Sequence, residues 1–274
     1  MVRRFFADAP DFKLDFDALV EARREADEDV SVVVREVIAA VRRDGDDALR
    51  AYTWKWDRHD LDQTGWTIGR DVCERVFRDL DPDLRMALEL AARRIATYHE
   101  RQLPTDSDYV DGAGVRLGAR WRAVESAGIY VPGGRATYPS SVLMNAIPAA
   151  VAGVSRVVMA TPMPDGIANP LVLAAAYLAG IDEVRPIGGA QAVAALAYGT
   201  GSIPRVDVIT GPGNAWVAEA KRQVYGVVGI DMVAGPSEIV VLADGANDAD
   251  CIAADLLSQA EHDPVAQSIL ITDD

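Results

Sequence analysis

The sequence has few of the residues on which much protein chemistry depends. Its 274 residues include three histidines and two cysteines. His59 and His99 lie in polar surroundings and are predicted to be surface residues. Cys73 and Cys251 show no metal-binding or redox spacing, so both are predicted to be buried, reduced thiols. Cys251 has no neighbouring base or glycine-rich loop, which leaves His262 as the most informative candidate for side-chain chemistry.

Positive charge is also scarce. The chain carries 27 Lys and Arg against 42 Asp and Glu, a net charge of −15. A nucleic-acid binder needs a basic footprint, and an anionic membrane surface attracts basic segments, so neither partner is expected. No apolar run reaches the roughly 18 residues that cross a bilayer. The N-terminus turns acidic too early for a secretory signal. With reduced thiols, these features predict a cytoplasmic protein.

Three common catalytic or phosphate-binding motifs are absent. The sequence contains no P-loop, no G-x-S-x-G elbow, and no G-x-G-x-x-G that follows a strand and opens a helix. A nucleotide site in this chain therefore has to use other loops.

Hydrophobic periodicity divides the chain into a helical region and a region of alternating strands and helices. Residues 1–110 are helical in character, and alternation over 115–123 predicts a half-buried strand. From there short apolar strands alternate with helices. The predicted strands are 129–131, 157–159, 183–187, 206–210 and 239–242. The predicted helices are 29–42, 71–80, 82–98, one ending at 150, 170–178, one ending at 198, one ending at 225, and 252–262.

This alternation predicts an α/β fold with two incomplete doubly wound (Rossmann-like) domains, mostly parallel sheets and a helical N-terminal region. Boundaries are expected near residues 127 and 236. One domain then comprises 25–127 together with 237–274, and the other comprises 128–236.

Glycine-rich segments fall where the predicted strands end, at residues 132–135, 188–191, 211–214 and 235–238. In such sheets ligands bind beyond the carboxyl ends of the strands. The first three segments precede helices, whose free N–H groups favour phosphate or carboxylate. Any one of them could be an ordinary turn. Four at equivalent points favour a nucleotide or a similar anionic ligand.

Gln259 and His262 are three residues apart on a predicted amphipathic helix, so both can point at one ion. An amide oxygen and an imidazole suit zinc or a similar cation, but two ligands do not close a site. An exposed helix face with one histidine is the alternative interpretation.

Several separated motifs resemble histidinol dehydrogenase. They are Gly128-Ile-Tyr-Val-Pro-Gly-Gly134, Tyr138-Pro-Ser-Ser-Val-Leu-Met-Asn145, Ile187-Gly-Gly-Ala-Gln191, Ile203-Pro-Arg-Val-Asp207, Gly211-Pro-Gly-Asn214, Ile230-Asp-Met-Val-Ala-Gly-Pro-Ser-Glu238 and Gln259-Ala-Glu-His262. The resemblance extends over essentially the whole chain and is densest from about residue 115 to 264.

The resemblance implies an enzyme that oxidises L-histidinol to L-histidine in two NAD-dependent steps, with one zinc ion per active site, as a homodimer. It implies that residues 128–236 bind NAD and that residues 1–24 form a dimerisation arm. The implied site residues are Tyr130, Gln191 and Asn214 for NAD, Ser237 for substrate, and Gln259 and His262 for both zinc and substrate.

Members of that family are longer than this chain. The resemblance implies that a Glu-His acid/base pair and the remaining zinc ligands lie beyond Asp274, so no catalytic residue is assigned within residues 1–274. The chain alone is then expected to be inactive and to hold zinc weakly. Two alternatives remain: a non-catalytic NAD-binding fragment or partner subunit, and a related zinc-dependent alcohol dehydrogenase with another substrate.

Overall fold

The structure is a computed structural model that describes residues 3–133, 138–233, 238–261 and 266–273, without the side chains of 21–29. It divides into two compact units, Met1–Val233 and Ala234–Asp274. No helix in the described part of the chain is both long and apolar enough to cross a membrane.

Five helices and a short strand open the first unit. They are α1 (Phe12–Asp44), α2 (Asp46–Asp57), α3 (Leu61–Thr64), β1 (Ile68–Gly69), α4 (Arg70–Arg78) and α5 (Pro82–Glu100). Helix α1 buries Val34, Val37 and Val41, the apolar stripe that its periodicity predicts. It begins at Phe12, well before the predicted start at residue 29, so residues 12–24 are helical. Their role as a dimerisation arm stays a prediction.

A two-stranded antiparallel hairpin follows, formed by β2 (Ser107–Val110) and β3 (Arg116–Ala119). All eight strand positions are exposed. Of the half-buried strand predicted over 115–123, only Arg116–Ala119 forms a strand, and the prediction of burial was wrong. Alternation shows that one face is apolar, but whether another element covers that face depends on tertiary packing.

The main sheet contains β4 (Ser126–Tyr130), β5 (Arg156–Ala160), β6 (Glu183–Arg185), β7 (Val208–Thr210) and β8 (Gly229–Ile230), in the order β1-β6-β5-β4-β7-β8. Strands β4 to β8 are parallel, and only β1 runs antiparallel to its neighbour. The connections carry α6 (Pro139–Ala152), α7 (Pro170–Leu178), α8 (Gly189–Tyr198) and α9 (Ala215–Val224). The predicted mostly parallel α/β sheet is confirmed.

Helices cover both faces of this sheet. One core cluster includes Tyr130 together with buried residues of α1, α8 and α9, and the other includes Ile129 together with buried residues of α6 and α7. Successive strand residues point to opposite faces, so Ile129 and Tyr130 enter different cores. Because both faces of the sheet are covered, these strands have continuous runs of apolar residues in the sequence. The assignment of residues 25–127 and 237–274 to one domain stays a prediction.

The second unit is a parallel strand–helix–strand crossover. It consists of β9 (Glu238–Ala243), α10 (Ala249–Ala260) and β10 (Gln267–Thr272), with six residue pairs between the strands. Asp248 caps α10 by accepting the N–H groups of Asp250 and Cys251. Cys73 is buried as predicted, but Cys251 is exposed on α10. The prediction that Cys251 is buried was wrong, because its helix presents that face to solvent.

Candidate functional site: the carboxyl edge of the main sheet

The strand order reverses at β4, which makes its carboxyl end the switch point of the sheet. The chain passes from β4 to β5 and β6 on one side, and β7 and β8 lie on the other. Ligands of doubly wound sheets bind in the crevice outside such a point. Residues 131–133 follow β4, and residues 211–214 follow β7. Tyr130 and Asn214, which the family resemblance assigns to NAD, therefore lie where the topology also predicts a ligand.

Close backbone packing explains the glycines at this edge. Gly211 has φ +118°, and a Cβ added there would lie 2.0 Å from the carbonyl oxygen of Tyr130. A Cβ at Gly133 would lie 2.3 Å from the carbonyl oxygen of Pro162, and one at Gly188 would lie 2.4 Å from Cβ of the same proline. Each distance is shorter than a side chain allows. These glycines let neighbouring strand-to-helix loops touch one another.

Tyr130 ends β4 and is buried, with 3% of its surface exposed. Its hydroxyl accepts the N–H of Gly189, the first residue of α8, at 3.0 Å. Burial raises the pKa of Tyr130 to about 12, and the nearby Asp57 carboxylate also raises it. The phenol is therefore protonated at neutral pH and keeps its own proton available to an acceptor.

Gln191 lies in the first turn of α8 with 1% of its surface exposed. Among the described residues, its Oε1 has no hydrogen-bond partner. A Cβ added at Gly189 would lie 2.7 Å from this oxygen. Gly189 therefore contacts both Tyr130 and the region of the Gln191 amide, which brings two of the predicted NAD residues to one place. A buried acceptor without a partner costs about 1–3 kcal/mol.

Asn214 is the N-cap of α9. Its Oδ1 accepts the N–H of Val217 at 3.2 Å, as is typical of a capping residue. Asn214, Ala215 and Trp216 are exposed. The first N–H groups of a helix have no intrahelical acceptor, so an exposed first turn such as this one presents donors and the positive end of the helix dipole to a ligand.

An ion pair with one buried partner, Lys221, lies directly behind this turn. Lys221 of α9 has 2% of its surface exposed and donates to the carbonyl oxygen of Gly211 at 3.0 Å. It also pairs with the carboxylate of Asp231, which follows β8. Asp231 in turn accepts the N–H of Gly211 at 2.8 Å. Sequence patterns did not predict this pair, because a lysine on a helix is ordinarily expected to lie on the surface.

The residues predicted for substrate and metal belong to the second unit. Gln259 lies half-buried in the last turn of α10. Ser237 and His262 lie outside the described residues. Within the described part of the chain, no group of three or more His, Cys, Asp or Glu side chains could hold a metal ion. The roles of Ser237, Gln259 and His262 therefore remain predictions.

His59 is buried, contrary to the prediction that it lies on the surface. It is 3% exposed, and its Nε2 is 2.5 Å from Oγ1 of Thr64. Burial lowers the pKa of His59, with Asp60 opposing that shift. Its polar sequence neighbours suggested exposure, but the chain after α2 folds back and covers the ring.

Asp57 is a polar residue that the sequence analysis missed. Its Oδ2 is buried without a partner in the described part of the chain, and burial raises the pKa of Asp57 to about 6. The four-residue spacing of Leu49, Thr53 and Asp57 could have predicted that Asp57 faces the core. Residues four apart share a helix face, and Leu49 and Thr53 are fully buried.

Comparisons with known proteins agree with this architecture. The family model described as histidinol dehydrogenase matches residues 20–274. A histidinol dehydrogenase of Zymomonas mobilis is 61% identical over 263 residues, which cover 96% of this chain and 61% of that protein. One of Rhodospirillum rubrum is 60% identical over 274 residues, which cover 100% of this chain and 63% of that protein.

A solved structure of histidinol dehydrogenase from Elizabethkingia anophelis superposes with a TM-score of 0.79 at 38% identity, covering 88% of this chain and 56% of that one. The chain thus spans about 61% of the length of the Zymomonas mobilis relative. The match over residues 20–274 and identities near 60% show that the chain belongs to the histidinol dehydrogenase family.

Proposed function

We propose that the protein containing this chain oxidises L-histidinol to L-histidine with NAD and a zinc ion. The observation that carries the proposal is the family match over residues 20–274, at about 60% identity to the relatives. The switch point at β4 and β7 supports it, because the predicted NAD residues lie along that edge of the sheet.

The described residues fit a dinucleotide. Gln191 offers a buried acceptor that has no partner among the described residues. The exposed first turn of α9, capped by Asn214, offers N–H donors to phosphate oxygens. Tyr130 holds α8 in place through Gly189 and has a proton to donate. Bound NAD would accept the hydride, while these residues supply position and electrostatics.

The donor types at Gln259 and His262 suit zinc, which prefers nitrogen, sulfur and oxygen ligands. Zinc would act as a Lewis acid toward the substrate. Gln259 and His262 would hold the ion from this chain, and Ser237 would contact the substrate through its hydroxyl group. Two ligands leave coordination positions for other groups.

We further propose a cytoplasmic homodimer. Both cysteines are free, which fits a reducing compartment. The hairpin exposes Tyr109, Val110 and Leu117, large apolar side chains that a second copy could cover. Light scattering coupled to gel filtration would give a dimer mass, and a monomer at micromolar concentration would overturn the dimer.

The test of activity is NADH production from L-histidinol, NAD and zinc. It is run on the 274-residue chain and on the same chain extended with the C-terminal segment of the Zymomonas mobilis relative. NADH production by either protein supports the proposal. Intact NAD binding without NADH from histidinol in either protein would overturn it in favour of a non-catalytic NAD-binding subunit, or of an alcohol dehydrogenase with another substrate. A panel of other amino alcohols then separates those two outcomes.

A further inference from the structure

Lys221 and Asp231 hold both polar groups of one residue, Gly211. The Lys221 ammonium donates to the Gly211 carbonyl oxygen at 3.0 Å, and Asp231 Oδ2 accepts the Gly211 N–H at 2.8 Å. The two side chains also pair with each other. One ion pair therefore replaces the strand hydrogen bonds that Gly211 loses at the end of β7.

Asp231 is itself fixed by the backbone around it. Its N–H donates to the carbonyl oxygen of Ile209 at 3.2 Å, which continues the pairing of β8 with β7. Its Oδ1 accepts the N–H of Met232 at 2.7 Å. The carboxylate is therefore a rigid support, and Lys221, with its side chain 3% exposed, has little freedom to leave it.

The orientation of Gly211 decides where the following turn points. Gly211 has φ +118° and lies against the Tyr130 carbonyl oxygen at the switch point. Asn214 and the open first turn of α9 come three residues later. A rotation of the Gly211 peptide would therefore redirect the donors that the proposed function assigns to NAD.

We propose that Lys221 and Asp231 are positioning residues for the dinucleotide. They hold the 211–214 turn in the conformation that aims the first turn of α9 at the ligand, and neither contacts the cofactor. This inference rests on the proposed NAD site. Its alternative is that the pair only stabilises the fold, and the experiment must separate the two roles.

The decisive variant replaces both charges, Lys221→Met with Asp231→Leu. Because Lys221 is buried and Asp231 is partly exposed, Asp231→Leu alone leaves a buried unpaired ammonium group and is strongly destabilising, whereas apolar replacement of both often restores stability. The Gly211 N–H and carbonyl groups nevertheless lose their partners. We expect the double variant to regain most of the thermal stability that Asp231→Leu alone loses, while its affinity for NADH stays about tenfold below that of the parent.

Arg185 and Glu183 provide a matched control. This ion pair on β6 has side-chain exposures of 9% and 31%, against 3% and 31% for Lys221 and Asp231. Arg185 reaches toward Trp66 and Thr67 rather than the 211–214 turn. The double variant Arg185→Met with Glu183→Leu is expected to change stability and leave NADH affinity within about twofold of the parent.

Affinity is measured on the 274-residue chain by NADH fluorescence titration, and stability by thermal unfolding. Parental affinity in the Lys221→Met, Asp231→Leu variant would overturn the positioning role. An equal loss of NADH affinity in the Arg185→Met, Glu183→Leu control would also overturn the positioning role. If the unaltered chain does not bind NADH, the proposed cofactor site fails first, and the positioning role fails with it.

Discussion

The hydroxyl group of Tyr130 accepts the backbone N–H of Gly189 at 3.0 Å, so a strand residue satisfies the first donor of helix α8. The residues of α8 from Ala190 to Ala197 are all buried. The first turn of α9, in contrast, is exposed around Asn214. Of these two helices at the carboxyl edge, α9 is therefore the one whose N-terminus is open to a phosphate group.

Replacing Tyr130 with Phe tests this contact. The substitution leaves the part-buried Gly189 N–H without its acceptor, so we expect the free energy of unfolding to fall by about 1 kcal/mol. Urea denaturation measures the change. Tyr98→Phe is the control, since Tyr98 is 62% exposed. Equal stability of Tyr130→Phe and the parent would show that the hydrogen bond contributes nothing net.

Asp57→Asn should change the pH dependence of stability. Burial raises the pKa of Asp57 to about 6, above its ordinary value. A carboxyl group whose folded pKa is raised stabilises the fold fully only below its ordinary pKa, and this contribution disappears as the pH rises through 6. Because the side chain is partly exposed, we expect Asp57→Asn to stabilise the chain by about 1 kcal/mol near pH 8.

Near pH 4 the same substitution should have almost no effect, since the native carboxyl is then neutral. Thermal unfolding at both pH values measures the difference. The exposed Asp17→Asn is the matched control. A stabilisation that is the same at both pH values would show that the charge of Asp57 is not its cause.

Gly211→Ala should be the most damaging glycine substitution at the switch point. It combines a left-handed φ of +118° with a Cβ 2.0 Å from the Tyr130 carbonyl oxygen. We expect a loss of about 3 kcal/mol or more, from backbone strain and steric overlap together. Gly226→Ala isolates the strain, because Gly226 has φ +96° and no atom within 4 Å of the added Cβ. If the two variants unfold at the same denaturant concentration, the overlap is relieved by movement.

Gln191→Leu should separate stability from binding. Its buried Oε1 has no partner among the described residues. Removing an unpaired buried acceptor should leave stability within about 1 kcal/mol of the parent or above it. If the amide contacts NAD, affinity for NADH should fall about tenfold, which corresponds to about 1.4 kcal/mol. The exposed Gln102→Leu is the control, and unchanged NADH affinity in Gln191→Leu would remove that residue from the proposed site.

Local pattern was enough for many of the elements. Helix α7 was predicted at 170–178 and begins and ends there, because Asn169 caps it and Pro170 occupies its first turn. The end of α8 at Tyr198 was also predicted. Gly199, which follows it, has φ +77°, a conformation that glycine adopts readily at the end of a helix. The family resemblance was likewise readable from motifs within the chain and is confirmed by the comparisons.

Sequence by itself thus determined the α/β class, the glycine-rich turns and the family, because each depends on neighbouring residues or on short motifs. Tertiary structure alone decided that β4 lies beside β7, that His59 and the Oδ2 atom of Asp57 are buried, and that Lys221 and Asp231 meet at Gly211. The partners in these contacts come from different elements. Periodicity reports which face of an element is apolar, whereas the packing of several elements decides which polar groups are enclosed together.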